Sequence, residues 1–225
     1  MTDLEARLRA ALARPLPGID AQLGMAPRPR VGWDPHRIPA GLRDGAALVL
    51  IYPKAGTLPA EPAAGRPRRA EVPHVLLTVR GSGLRKHTGQ VSFPGGAVDP
   101  NESFETAALR EASEEVGVIP AAVRVLGRLT PVHIPVSGYL LHPVVGIVDQ
   151  RPSFRPAEWE VARLLEVPVA FFDDPEIVKS QRQTRQRDGE TVEVDVPYFD
   201  IDGEIVWGAT AMILAEFLTM AGGPA

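Results

Sequence analysis

Residues Gly96–Val118 read GAVDPNESFETAALREASEEVGV, and this stretch decides the fold of the chain. Apolar residues recur through it at helical spacing, which predicts one amphipathic helix. Gly117 supplies a left-handed stop and Pro120 prevents the helix from resuming. The stretch therefore predicts a short helix that is closed at its carboxyl end by glycine.

The start of this helix is predicted from the residues that precede the apolar pattern. Asp99 is the candidate N-cap, and Pro100 follows at the position where a missing N–H is tolerated. Glu102, three residues after Asp99, would close a capping box.

Three glutamates crowd the last turns of the helix, namely Glu111, Glu114 and Glu115. At about 100° per residue they fall within roughly a third of the helix circumference. Each like-charge pair at this spacing costs about 0.2–0.5 kcal/mol, and the helix dipole disfavours anions at this end. A divalent cation would reverse the sign, and carboxylate oxygens suit Mg²⁺ or Mn²⁺. The alternative is a solvated acidic face that Arg110 neutralises in part.

The full spacing resembles the Nudix box, G-x5-E-x7-R-E-U-x-E-E-x-G-U, in which U is a bulky aliphatic residue. Every charged and glycine position is present, and the one departure is Ala112 at the first U position. Nudix proteins hydrolyse a nucleoside diphosphate that is linked to another group. The resemblance implies an α/β (α+β) fold, a Nudix-like α/β/α sandwich with a mixed β-sheet between helices.

The resemblance also assigns roles within the box. It implies that Glu111, Glu114 and Glu115 are metal ligands for Mg²⁺ or Mn²⁺. Glu114 and Glu115 are the firmest catalytic candidates, and one of the three glutamates is a candidate base acting through a bound water. Glu102 and Arg110 are assigned to structural support, with Glu102 as a cap or as the ion-pair partner of Arg110.

A second resemblance lies upstream of the box, in Leu76–Arg80, Arg85, Gly89 and Phe93–Gly96. These residues are similar to the extra signature of the coenzyme A pyrophosphatase branch of Nudix enzymes. That branch has Ser or Ala after its first Arg, whereas Gly81 follows Arg80 here. Further segments that look like the branch are Met25–Pro27, Pro135–Tyr139 and Trp207–Ala211.

The upstream signature supplies candidate substrate ligands. Arg80 and Arg85 are candidates for pairing with phosphates, because a guanidinium offers a planar fork of donors. Coenzyme A carries a 3′-phosphate beyond its diphosphate and so calls for extra positive charge. His87 and Gln90 lie in the same loop and are candidates for hydrogen bonds to the pantetheine or adenine side. A structural role is the alternative for His87.

Two further features bear on the site. Gly95 and Gly96 predict a loop in which the backbone approaches the substrate closely, and a tight turn is compatible with that role. Many Nudix proteins take an additional acid, as base or metal ligand, from a loop late in the fold. Glu160 is the candidate here and Glu158 is the second choice, with an exposed loop carboxylate as the alternative for either.

Composition limits the remaining possibilities. A chain of 225 residues suits one α/β core, with residues 1–40 as a helix and arm that pack on a Nudix domain of residues 41–225. The net charge of -4 argues against nucleic-acid and membrane partners, and the absence of cysteine excludes a thiol nucleophile. Residues 1–14 fit neither a secretory signal nor a membrane span, so a cytoplasmic location is expected. The oligomeric state stays open, a homodimer included.

The rest of the chain predicts alternating strands and turns. Pro53–Pro73, rich in Pro, Ala and Gly, is predicted as a loop, and Asp202-Gly203 as the turn of a hairpin. Helices are predicted at Leu4–Leu12 and Thr210–Met220. Strands are predicted at Ala46–Tyr52, His74–Arg80, Val123–Leu129, Leu140–Val148, Leu164–Val167, Val192–Phe199 and Glu204–Val206.

Three functions compete at this point. The first is metal-dependent hydrolysis of coenzyme A, or of an acyl or oxidised derivative, to 3′,5′-ADP and 4′-phosphopantetheine or its acyl form. The second is Nudix hydrolysis of ADP-ribose, NADH or dinucleoside polyphosphates. The third is a non-catalytic nucleotide-binding module, which we would expect to have lost carboxylates of the box.

Overall fold

The computed structural model describes residues 1–29, 34, 36–57, 69–81, 89–187 and 190–222 of the chain. The helices within them are α1 (Thr2–Leu12), α2 (Gly18–Leu23), α3 (Phe104–Val116) and α4 (Gly208–Ala221). The first six strands are β1 (Arg43–Thr57), β2 (Arg69–Arg80), β3 (Val91–Ser92), β4 (Gly95–Ala97), β5 (Arg124–Arg128) and β6 (Val132–Ile134). The later strands are β7 (Tyr139–Ile147), β8 (Val161–Pro168), β9 (Val178–Arg187), β10 (Glu190–Ile201) and β11 (Glu204–Trp207).

Strands β1 to β8 form one mixed sheet with the path β3-β2-β1-β7-β5. Strand β4 also pairs with β1, β6 with β7, and β8 with β2. The β1–β7 pair is parallel, whereas the other pairs are antiparallel. The sheet is therefore of the mixed type that the sequence predicts.

Helices cover both faces of this sheet. Because side chains alternate along a strand, Val49 and Ile51 of β1 belong to a core shared with Phe217 of α4. Leu48 belongs to the opposite core, shared with Ala112 of α3. Ala112 is fully buried there, so the small residue at this position of the box still packs against the sheet. The predicted α/β/α sandwich is confirmed.

The amino-terminal segment is part of the same core. Leu4 and Leu8 of α1 are buried with residues of α4. Helix α2, which the sequence did not predict, contacts α4 as well. Both helices therefore lie on the face of the sheet opposite α3.

The prediction of a loop over Pro53–Pro73 is wrong at both of its ends. Strands β1 and β2 continue as a two-stranded ribbon in which Pro53 pairs with Pro73. The β7 partner of β1 ends at Ile51, and the β8 partner of β2 ends at His74. Each proline thus lies where its strand has one free edge, so a missing N–H interrupts no neighbouring ladder.

The predicted start of α3 is also wrong. The N-cap is Ser103, whose side chain accepts a hydrogen bond from the Thr106 N–H at 3.1 Å. Asp99 and Glu102 instead close a turn before the helix, in which the Asp99 N–H donates to Glu102 at 3.2 Å. Glycine ends the helix as predicted, because Gly117 is left-handed with φ 73°.

A second sheet, with the order β11-β10-β9, packs beside α4. The predicted hairpin at Asp202-Gly203 joins β10 to β11, and both turn residues have positive φ, 51° and 87°. Strand β9 was not predicted because its sequence, VKSQRQTRQR, is nearly without apolar residues. It forms by pairing along β10 over its whole length.

Candidate active site

The predicted loop at Gly95 and Gly96 is instead strand β4, which pairs with β1 of the sheet. A Cβ on Gly95 would clash with the Ala46 carbonyl oxygen, and one on Gly96 would clash with the Glu111 carboxylate. Neither position accepts a side chain without moving backbone or carboxylate. The backbone of β4 therefore lies close to β1 at Gly95 and close to the Glu111 carboxylate at Gly96, and its approach to a substrate stays a prediction.

Arg110 ties β4 and the turn after it to the helix. Its guanidinium donates to both carboxylate oxygens of Glu102 at 3.0 Å, to the Ala97 carbonyl oxygen at 2.9 Å and to Glu111 Oε1 at 2.8 Å. The same group lies 3.6 Å from Glu114. These bonds, foremost those to Glu102, raise the pKa of Arg110 above its usual value. The ion pair that the sequence predicts between Glu102 and Arg110 is present.

Glu115 is the buried acid of the site, with 5 % of its surface exposed. Its pKa is raised to about 8, first by burial and then by the charges of Glu160 and Glu111, while a hydrogen bond from the Gly95 N–H opposes the shift. Burial likewise raises the pKa of Glu111, against the lowering effect of Arg110. The carboxylates of Glu111, Glu115 and Glu160 thus repel one another in a poorly solvated space.

Glu160 reaches this space from a loop that is anchored to the end of α3. The Ala157 N–H donates to the Glu115 carbonyl at 2.8 Å, and the Arg155 N–H donates to the Val116 carbonyl at 2.9 Å. These two bonds satisfy carbonyls that a helix leaves unpaired at its carboxyl end. The sequence pattern predicts Glu160 as the first of two candidate loop acids, and the fold separates the two, because Glu158 is exposed whereas Glu160 is half-buried.

Glu114 lies differently from the other acids of the box. Its side chain is 61 % exposed, and it contacts Arg110 from the solvent side. The structure therefore groups Glu111, Glu115 and Glu160, with Glu114 at the edge of the group.

Arg80 faces the same group from the end of β2. Its Nη2 lies 3.9 Å from Glu160 Oε1, and its charge lowers the pKa of Glu115. Its Nε is buried and has no hydrogen-bond partner among the described residues. The Gln90 carbonyl accepts from the Arg80 N–H at 2.9 Å, which places Gln90 beside it. The candidate ligands Arg85 and His87 lie outside the described residues.

Gly81 is a residue whose role sequence reasoning missed. Its N–H donates to the Glu160 carbonyl at 2.7 Å, and a Cβ there would lie 3.2 Å from that same oxygen. The departure of Gly81 from the branch pattern was the available signal. It marks the point at which β2 holds the Glu160 loop.

The carboxylates of this group are chemically suited to a divalent cation. In the described part of the chain no three acidic, histidine or cysteine side chains are arranged to hold an ion as they stand. Arg110 accounts for part of this, because it binds Glu111 Oε1. The donor set still fits, since a hard cation would stabilise the buried Glu115 and the half-buried Glu111, whose pKa values are raised and whose charges repel each other.

Within the residues described, no helix is long and apolar enough to cross a membrane.

Comparison with known proteins finds a matching domain family and relatives of similar sequence. The family described as NUDIX domain matches residues 62–202 of the chain. Proteins named uncharacterized Nudix hydrolase NudL, from Escherichia coli O1:K1 / APEC and from strain EC4115 of Escherichia coli O157:H7, are each 41 % identical over 155 residues. The alignment covers 68 % of this chain and 78 % of each relative.

Solved structures with a similar fold are more distant in sequence. A Nudix hydrolase from M. smegmatis is 24 % identical in sequence, with a TM-score of 0.43. The match covers 56 % of this chain and 71 % of the M. smegmatis chain. A MutT/nudix family protein from Enterococcus faecalis is 15 % identical in sequence, with a TM-score of 0.45. The match covers 82 % of this chain and 64 % of the E. faecalis chain.

Proposed function

Because the chain belongs to the NUDIX domain family, whose hydrolases cleave nucleoside diphosphate derivatives, we propose that it hydrolyses the diphosphate linkage of coenzyme A or a coenzyme A derivative. Water adds to one phosphorus, and the bond from that phosphorus to the bridging oxygen breaks. The products are 3′,5′-ADP and 4′-phosphopantetheine, or its acyl form. We place this activity in the cytoplasm, on a small-molecule nucleotide and not on nucleic acid.

One observation carries the proposal of hydrolysis, and it is the grouping of Glu111, Glu115 and Glu160. Mutual repulsion of the buried Glu115 and the half-buried Glu111 and Glu160 is unfavourable for the folded chain, and helix α3, strand β4 and the remote loop of Glu160 together bring these carboxylates close. Such an arrangement is typical of a functional site. The choice of coenzyme A rests on the upstream resemblance that ends at Gly96.

The residues present divide the work of hydrolysis. Glu111, Glu115 and Glu160 would hold Mg²⁺ or Mn²⁺, with Glu114 at the solvent edge. When bound, the cation neutralises phosphate charge and lowers the pKa of a water. Among the described residues, Glu160 has an ion pair with Arg80 at 3.9 Å, longer than the 2.8 Å pair of Glu111 with Arg110, so we assign Glu160 to accept the proton of the attacking water. The Arg80 Nε has no hydrogen-bond partner in the described part of the chain, and we assign the Arg80 guanidinium to donate to a phosphate oxygen.

The test is chromatography of products after incubation with Mg²⁺ or Mn²⁺ and equal concentrations of coenzyme A, ADP-ribose, NADH and diadenosine polyphosphates. We expect metal-dependent release of 3′,5′-ADP from coenzyme A, faster than release of any product from the other substrates.

Two results would overturn the proposal in different ways. Preferred cleavage of another nucleotide would retain the hydrolase and reject coenzyme A as the substrate. Failure to cleave any of them, with nucleotide binding retained, would favour the non-catalytic module.

A further inference from the structure

The loop that carries Glu160 also carries an exposed tryptophan. Trp159 directly precedes Glu160, and 66 % of its surface is exposed. Among the described residues, no aromatic ring and no guanidinium stacks on its indole. A single exposed apolar residue is common on protein surfaces. The argument for a function of Trp159 therefore depends on where it lies.

The backbone of Trp159 is held in place by hydrogen bonds on both sides. The Ala157 carbonyl accepts from the Glu160 N–H at 2.9 Å, which closes a turn that contains Trp159. The Ala157 N–H donates to the Glu115 carbonyl at 2.8 Å, and the Gly81 N–H donates to the Glu160 carbonyl at 2.7 Å. The turn is thus joined to α3 at one end and to the residue after β2 at the other. Trp159 therefore has a fixed backbone position beside the acidic group.

The acidic group meets solvent on the side of this turn. The side chains of Arg80 and Glu160 are 35 % and 21 % exposed, whereas Glu115 is buried. Arg80 and Glu160 thus form part of the opening through which a phosphate reaches the carboxylates. Trp159 flanks this opening, because it precedes Glu160 and because its carbonyl oxygen lies 3.6 Å from the place that a Cβ on Gly81 would take.

An exposed indole beside this opening is suited to the base of a nucleotide. Every nucleobase has a π face, and stacking of a base on an aromatic side chain is favourable whichever base is present. The diphosphate of coenzyme A joins an adenosine to a pantetheine chain. The adenosine carries a flat aromatic ring, whereas the pantetheine is a flexible aliphatic amide. Adenine is therefore the part of this substrate that the indole would recognise.

We propose that Trp159 stacks on the adenine ring of the substrate and so directs the adenosine side of the diphosphate to the opening at Arg80 and Glu160. This inference rests on the proposed function, because coenzyme A supplies the adenine. The ring is remote from the reacting phosphorus, so the stacking is the same in the ground state and in the transition state. Trp159 therefore contributes to KM and not to kcat.

Kinetics of Trp159→Ala and Trp159→Phe test the stacking. We expect KM for coenzyme A to rise about tenfold in Trp159→Ala and less than about threefold in Trp159→Phe, which keeps a flat ring. In both variants kcat should stay within about twofold of the wild type. Ile119→Ala is the control, because Ile119 is similarly exposed outside this loop and its replacement should leave KM unchanged.

Three kinetic results would overturn the proposal. The first is an unchanged KM in Trp159→Ala, and the second is an equal rise of KM in Trp159→Ala and Trp159→Phe. The third is a fall in kcat without a rise in KM, which would mean that Trp159 only positions Glu160.

Calorimetry in the presence of Mg²⁺ distinguishes the two ends of the substrate without turnover. We expect 3′,5′-ADP to bind Trp159→Ala about tenfold more weakly than the wild type. The affinity for 4′-phosphopantetheine, which has no aromatic ring, should be the same for both proteins. Absence of 3′,5′-ADP binding to the wild type, equal affinities of both proteins for 3′,5′-ADP, or a loss confined to 4′-phosphopantetheine would overturn the stacking.

These measurements also separate this inference from the proposed function. A protein that loses affinity for 3′,5′-ADP as expected in Trp159→Ala, but does not cleave coenzyme A, would reject the proposed function alone. A protein that cleaves coenzyme A with the same KM in the wild type and in Trp159→Ala would reject the stacking alone.

Discussion

Glu115 carries the largest electrostatic penalty among the acids of the site. Its pKa in the folded chain is raised from 4.5 to about 8. Between these two pH values Glu115 therefore keeps its proton in the folded state and loses it in the unfolded state. The contribution of Glu115 to the free energy of unfolding is therefore greatest below pH 4.5 and decreases as the pH rises towards 8. One proton corresponds to a slope of about 1.4 kcal/mol per pH unit.

The first prediction follows from this sign. In the presence of a chelator, Glu115→Gln should flatten the loss of unfolding free energy between pH 5.5 and 8, because glutamine does not titrate. Urea unfolding at several pH values measures this slope. Glu114→Gln is the matched control, since that exposed side chain should leave the slope as in the wild type. A slope unchanged by Glu115→Gln would contradict the burial assigned to this acid.

The second prediction concerns turnover by the same variant. Glu115→Gln removes the charge at nearly constant volume, so the fold should persist while kcat falls about a hundredfold or more. Product release at saturating Mg²⁺ and substrate measures the loss, and circular dichroism checks the fold. Wild-type turnover would reject Glu115 as a metal ligand.

The third prediction separates the two loop acids. Glu160 faces Arg80 and the buried carboxylates, whereas Glu158 is exposed on the same loop. Glu160→Gln should lower kcat at least tenfold, and Glu158→Gln should remain within twofold of the wild type. Equal effects of the two substitutions on kcat would show that the fold does not select between them.

At the scale of the element, the Arg110 side chain attaches α3 to strand β4 and to the turn between them. Arg110 bonds Glu102, the Ala97 carbonyl and Glu111 at once, which a lysine cannot do with its single ammonium group. The fourth prediction is that Arg110→Lys lowers the unfolding free energy by about 1–3 kcal/mol and also lowers kcat, because it releases α3 from strand β4, which holds Gly96.

Arg128→Lys is the control for this substitution. Arg128 is a half-exposed residue whose one ion pair among the described residues is with Glu105, so its replacement should change stability by less than about 1 kcal/mol. Urea unfolding and kcat are measured for both variants. If Arg110→Lys behaved like Arg128→Lys, the attachment of β4 would have to come from its strand pairing.

At the scale of the whole molecule, α1 is part of the folded unit. Leu8 is fully buried with residues of α4 on one face of the sheet, so the arm contributes to the same core. The fifth prediction is that Leu8→Ala lowers the unfolding free energy by about 2–5 kcal/mol and keeps a single transition. Ile119→Ala, at a residue 68 % exposed, should change it by less than about 0.5 kcal/mol. A separate early transition in Leu8→Ala would show that α1 folds independently.

Much of the local structure follows from the sequence alone. The helical spacing that ends at Gly117, the turn at Asp202-Gly203 and the strand patterns depend on neighbours in the chain, and the structure confirms them. The acids of the box are likewise placed on one helix by spacing. Strand β9 escaped prediction because a strand held by pairing needs no apolar pattern of its own.

The tertiary structure alone decided which of these residues meet. Only the fold brings Glu160 to Glu115, leaves Glu114 exposed, makes Ser103 the cap and extends the ribbon through Pro53. The physical reason is how far along the chain each property reaches. Residue spacing sets the direction of side chains within one element, whereas burial, pKa and hydrogen bonding depend on segments that are remote in the sequence.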